Sequence, residues 1–97
     1  MKTVWKYPLV ITDRQSVRAP KGALPLTVQL QGGTITLWME VDPKAPLEDH
    51  YFYVVGTGNE VPEKAMLFVG TVQMLPYVWH VFEELEEEPD EWPEDDE

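Results

Sequence analysis

A pair of glycines flanked on both sides by strict apolar–polar alternation leaves few folds open to a chain. Here the pair is Gly32-Gly33, and the flanking runs fill residues 24–41, LPLTVQLQGGTITLWMEV. Two glycines suit a two-residue hairpin turn in which both central residues take positive φ. Such a turn sets Gln31 opposite Thr34 and predicts the pairs beyond it: Leu30 with Ile35, Val28 with Leu37, Leu26 with Met39, and Leu24 with Val41. Side chains alternate with period two along a strand, so all of these apolar residues share one face. Thr27, Gln29, Gln31, Thr34, Thr36, Trp38 and Glu40 occupy the other face. A slip of one residue would expose the whole apolar set, which pins the register.

The rest of the chain reads as further strands around this hairpin. Residues 3–11 alternate Trp5, Tyr7, Leu9 and Ile11 against Val4, Lys6, Pro8 and Val10, and Pro8 assigns that strand to an edge or a bulge. Residues 12–16 read as a polar turn and 17–23 as an extended connection with a tight turn at Pro20-Lys21-Gly22. A loop stiffened by Pro43 and Pro46 fills 42–49, and residues 50–56 (HYFYVVG) read as a central strand. A polar loop over 57–66 follows. Residues 67–74 form another strand with a bulge or close approach at Gly70, then a turn at Pro76 and a last strand at 77–82. Six strands, short loops and no sustained helical period predict an all-β chain, a small antiparallel barrel or sandwich. Residues 83–88 could add a frayed helical turn, which Pro89 and Pro93 would stop.

Charge divides the chain more sharply than its strands do. The net charge is −11 over 97 residues, yet the seven basic side chains, all within residues 1–82, are matched there by seven acidic ones. The other eleven carboxylates lie in residues 83–97. The expected organisation is a neutral domain at 1–83 and an acidic tail at 84–97. A body of that size buries roughly 60–65% of its unfolded surface and has little stability to spare. With no cysteine there is no disulfide to add, so the aromatics or self-association into a homodimer would have to help. No apolar run reaches membrane length and the N-terminus has no signal-peptide core, so no membrane association is expected and a cytoplasmic location is.

Residues with catalytic or ligating chemistry are sparse. Ser16 is the only serine, cysteine is missing, and the two histidines stand thirty residues apart outside any nucleophile or metal motif. The reading is a non-enzyme without cofactor or metal. His80 alternates with Val78 and Phe82 and reads as a core-edge histidine whose ring nitrogens are held by backbone, while strand-end solvation accounts at least as well for His50 beside Asp49. Gly56-Thr57-Gly58 lacks the glycine pattern and the following helix of a phosphate cradle, so it reads as a turn.

Aromatic placement and the tail carry the functional expectation. Trp38 falls on the polar face of the hairpin and needs cover, from a second layer of this chain or from a partner. Trp5 and Tyr7 share one face of the first strand, and these three residues are the expected aromatic interface. In the tail, eleven carboxylates over fifteen residues, Glu86, Glu87, Glu88, Asp90 and Glu91 among them, approach the charge density of a nucleic-acid strand, with the Trp92 indole where a base would stack. Such a segment would repel nucleic acid itself and suit a basic groove on a protein. The plainer reading is a solvated segment that keeps a β-rich chain soluble.

Several stretches resemble a family of small proteins of tailed bacteriophages and prophages. They are Lys2-Thr3-Val4-Trp5-Lys6-Tyr7-Pro8-Leu9, Val28-Gln29-Leu30-Gln31, Leu37-Trp38 with Val41-Asp42-Pro43, and Val55-Gly56-Thr57-Gly58 before Pro62. Val69-Gly70-Thr71-Val72-Gln73 and Val78-Trp79-His80-Val81-Phe82-Glu83 complete the pattern, which spans residues 2–83. The resemblance implies a phage or mobile-element origin and supplies no functional residue. By analogy with small phage accessory proteins, it implies binding and inhibition of a host protein in the host cytoplasm, such as a nucleic-acid-handling defence complex. The alternatives are an oligomeric sink for a nucleotide immune signal, using Trp5 or Trp79 with Arg14, Arg18 or Lys44, and a minor virion or assembly component.

Overall fold

A computed structural model describes residues 1–85. Seven strands run through it: β1 (Thr3–Pro8), β2 (Gln15–Pro20), β3 (Leu24–Gln31), β4 (Thr34–Val41), β5 (Leu47–Gly56), β6 (Met66–Met74) and β7 (Tyr77–Glu84). They form a three-stranded sheet in the order β1-β4-β3 and a four-stranded sheet in the order β2-β5-β7-β6, with every pairing antiparallel. The two sheets are not joined into a cylinder, so the architecture is a sandwich and the barrel alternative is set aside.

The strand that sequence patterning missed is β2. Its residues read as a turn and a connection because the alternation is short and its apolar members, Val17 and Ala19, are small. Both are buried, and Arg18 and Ser16 point outward. β2 pairs with an extension of β5 that begins at Leu47, three residues earlier than the aromatic run suggested. At the other end of the sheet, β7 continues through Glu84, opposite Met66. Glu83 and Glu84 are therefore strand residues, and the predicted helical turn does not begin there; its remainder lies beyond the described residues.

The hairpin forms as its glycines require, with φ of 59° at Gly32 and 80° at Gly33. The predicted register holds from Gln31–Thr34 through Leu30–Ile35 and Val28–Leu37. It breaks between Pro25 and Thr27, so that Pro25 faces Met39 and Leu24 faces Glu40. Proline has no N–H to give the ladder, and the surplus residue Leu26 is accommodated as a bulge. Leu24 and Leu26, expected inside, are each 52% exposed.

The core lies between the inner faces. Ile35, Leu37, Met39 and Val41 of β4 and Val28 of β3 meet Val17, Ala19, Phe52, Val54, Val72 and Val81 of the larger sheet. β5 is buried on both faces, as its composition suggested. The layers come closest where β3 meets β6: a Cβ built on Gly70 would lie 2.9 Å from Cγ1 of Val28. The ladder between β6 and β7 also shifts between Phe68 and Gly70, so Gly70 marks both a bulge and a close approach.

Candidate interaction surface

The two ends of β7 differ in kind. At its start, Leu75 and Tyr77 stand 81% and 61% exposed on the β6–β7 turn. Beside them opens a cleft of about 740 Å³ lined by Ile11, Leu30, Gln73, Met74, Leu75, Pro76, Tyr77 and Trp79, none of them charged. Register sets Tyr77 and Trp79 on the inner face, opposite Met74 and Val72. Their rings stack with centroids 5.8 Å apart. Trp79 also packs on Gly56, where an added Cβ would come within 3.1 Å of its ring, and its buried Nε1–H has no acceptor among the described residues. An uncharged, concave, partly aromatic surface of this kind suits an apolar anchor from a partner.

At the other end, neighbouring glutamates point to opposite faces. Glu84 is outside, where Arg14 grips it through two bonds, Nε to Oε1 at 3.0 Å and Nη2 to Oε2 at 3.1 Å. The Arg14 guanidinium lies 4.0 Å over the Tyr51 ring. Tyr53 donates its hydroxyl to Glu84 at 3.1 Å and receives Lys64 Nζ at 3.2 Å. Bonding to Arg14, foremost, holds the Glu84 carboxyl below its ordinary range, against a smaller opposing effect of burial. Glu83 is inside and mostly buried, and burial pushes its carboxyl up despite His50 beside it.

The expected aromatic interface does not come together as one surface. Trp5 and Tyr7 oppose Met39 and Leu37 and face the core side, whereas Trp38 pairs with Lys6 and Thr27 on the outer face. Trp5 is 39% exposed, Trp38 is partly buried, and Tyr7 packs on the core with its hydroxyl buried and unpaired among the described residues. Glu86, Glu87, Glu88, Asp90, Glu91 and Trp92 lie outside the described residues. The cleft residues Ile11, Leu30 and Leu75 were missed because each sits in a run whose alternation assigned it elsewhere or to a turn. The one usable signal was the shared face of Tyr77 and Trp79.

The polar candidates are largely engaged within the fold. Arg14 is paired with Glu84, and Arg18 lies 3.4 Å from Asp49. The Gly56-Thr57-Gly58 segment is a turn, closed by a bond from Asn59 N to the Gly56 carbonyl, with Gly58 at φ 94°. His80 is held by hydroxyls and not by backbone: its Nε2 meets Thr57 Oγ1 at 2.8 Å and its Nδ1 meets Thr71 Oγ1 at 2.9 Å. His50 is buried at 8% exposure, which overturns the solvated reading. Among the described residues no group of three or more His, Cys, Asp or Glu side chains is placed to hold a metal ion, and no helix is long and apolar enough to cross a membrane.

Fold and surface together define an open antiparallel β-sandwich domain with an uncharged cleft at one end of β7 and an ionic network at the other. The chain belongs to the family described as a domain of unknown function, DUF7352, whose model matches residues 1–91. The match therefore runs past β7 into the acidic segment. Neither the curated proteins nor the solved structures contain a match to this chain.

Proposed function

We propose that this protein is a non-enzymatic phage accessory protein that binds and inhibits a host protein with a basic surface, such as a nucleic-acid-handling defence complex. The observation that carries the reading is the uncharged cleft beside Leu75 and Tyr77, an apolar docking surface on a chain whose charge is gathered elsewhere. In this division of labour the cleft supplies the contact that holds, and the acidic segment steers a basic partner toward it or competes with that partner's nucleic acid. Acid-rich steering weakens as salt shortens the screening length, whereas an apolar anchor does not.

Capture from a host lysate at low and high salt tests the reading, using the intact chain, a chain ended after Leu85, and Tyr77→Ser. The expected result is one basic nucleic-acid-binding protein, recovered less at high salt and with the shortened chain, and retained poorly by Tyr77→Ser. The purified partner should then lose activity when the intact chain is added. Recovery that is indifferent to salt, to truncation and to Tyr77→Ser would remove both halves of the proposal.

A further inference from the structure

His50 lies buried between three oxygen atoms, and their chemistry constrains its protons. Its Nε2 is 3.2 Å from the Pro20 carbonyl of β2 and 3.4 Å from Glu48 Oε2, and its Nδ1 is 3.5 Å from Glu83 Oε2 of β7. A carbonyl oxygen can only accept, so the hydrogen of a neutral imidazole belongs on Nε2. That leaves Nδ1 as a bare acceptor facing a carboxylate that, when ionised, is also only an acceptor. Two lone pairs in a buried site repel unless a proton lies between them. His80 has no such requirement, because the hydroxyls of Thr57 and Thr71 can each donate or accept.

We infer that His50 and Glu83 hold one shared proton that fastens the C-terminal end of β7 to β5 and β2, and that this fastening loosens when alkali removes it. Whether the proton sits on Nδ1, making an imidazolium–carboxylate pair, or on Glu83, which then donates, the bond count is the same. The charged groups around His50 are Glu48 on its own strand and Glu83 on β7, while β2 contributes the uncharged Pro20 carbonyl. The inner face of the smaller sheet presents Trp5, Tyr7, Met39, Val41 and their apolar neighbours, of which only Tyr7 is titratable.

Burial raises the Glu83 carboxyl, as it should for a group that keeps a proton close. The folded protein thus retains a proton that the unfolded chain releases sooner. Stability from this source is complete between the ordinary carboxyl value, about 4.3, and the ordinary imidazole value, about 6.5, where the unfolded pair also holds one proton, on its imidazole. It is lost as the pH rises through the value at which the folded pair lets its proton go. The segment fastened is the root of the acidic tail, since Leu85 follows directly and bonds through its N–H to the Ala65 carbonyl at 3.0 Å.

The experiment is denaturant unfolding of the full chain across the pH range, with nitrogen NMR of the His50 ring. In the wild type the unfolding constant should rise by up to about tenfold per pH unit across that window. Glu83→Gln supplies a permanent N–H donor to Nδ1 and should flatten the rise. The ring of His50 should carry hydrogen on Nε2 at every pH at which the chain is folded. A ring with its hydrogen on Nδ1 alone at high pH would overturn the inference. So would a pH dependence that Glu83→Gln leaves unchanged, or a wild type that shows none. If Glu83→Gln does not fold, the His50 spectrum of the wild type decides alone.

Discussion

β7 begins in a surface that nothing in the described chain covers and ends in one where almost every polar atom has a partner. Tyr77 and Leu75 offer apolar area to whatever arrives, whereas Glu84, Arg14, Tyr53 and Lys64 satisfy one another. The same eight-residue strand carries both, so the difference comes from its neighbours. A tight turn and the short β1–β2 loop leave the first end bare, while β5, that loop and Lys64 close over the second. Surface left uncovered is available for binding, and surface internally paired serves to hold the strand in place.

That contrast can be broken most severely from the core. Phe52 lies opposite Glu83 in register and is fully buried, so Phe52→Ala should remove about 3–5 kcal/mol. Both ends should loosen together in denaturant unfolding; loss of only one would mean that β7 is not a single cooperative unit. Gly70→Ala comes next. Its new Cβ would meet Val28, and overpacking of that kind costs about 1–3 kcal/mol. Adding Val28→Ala should recover part of this loss, so a double-mutant cycle that sums without coupling would contradict the close approach.

A smaller effect separates the paired glutamates. Glu84 is depressed, chiefly by Arg14, so its stabilisation is present above the ordinary carboxyl range and drains away as pH falls through its folded value. Glu84→Gln should therefore flatten the acid side of a stability profile and leave the alkaline side alone. Smallest in stability is Leu75→Ser, expected within about 0.5 kcal/mol of wild type because the side chain is almost fully exposed. The same substitution should nonetheless reduce capture of a partner, which is how an uncovered surface differs from an idle one.

Local chemistry made the central hairpin readable, since Gly32-Gly33 and the alternation of β4 point to one answer at every residue. Pro25 sat in view, but the consequence of a missing N–H is a property of the ladder, and the shift of Leu24 and Leu26 followed from pairing. β2 was hidden for a related reason. Val17 and Ala19 become core only when β5 lies alongside, and no local pattern announces that partner. His50 likewise owes its burial to Pro20 and Glu83, respectively thirty residues before it and thirty-three after it. The cleft depends on Ile11, Leu30 and Leu75 meeting from separate parts of the chain, so patterning within any one segment could not assemble it.

Two open sheets have four outer strands, and none is a clean template for another copy. Pro8 closes β1, Pro20 closes β2, Pro25 interrupts β3, and the bulge beside Gly70 bends β6 out of step. A growing fibril needs an uninterrupted row of donors and acceptors at constant spacing. Among the described residues each flank is ended or interrupted by one of these features, which shortens the row open to another copy beside the bare apolar side chains.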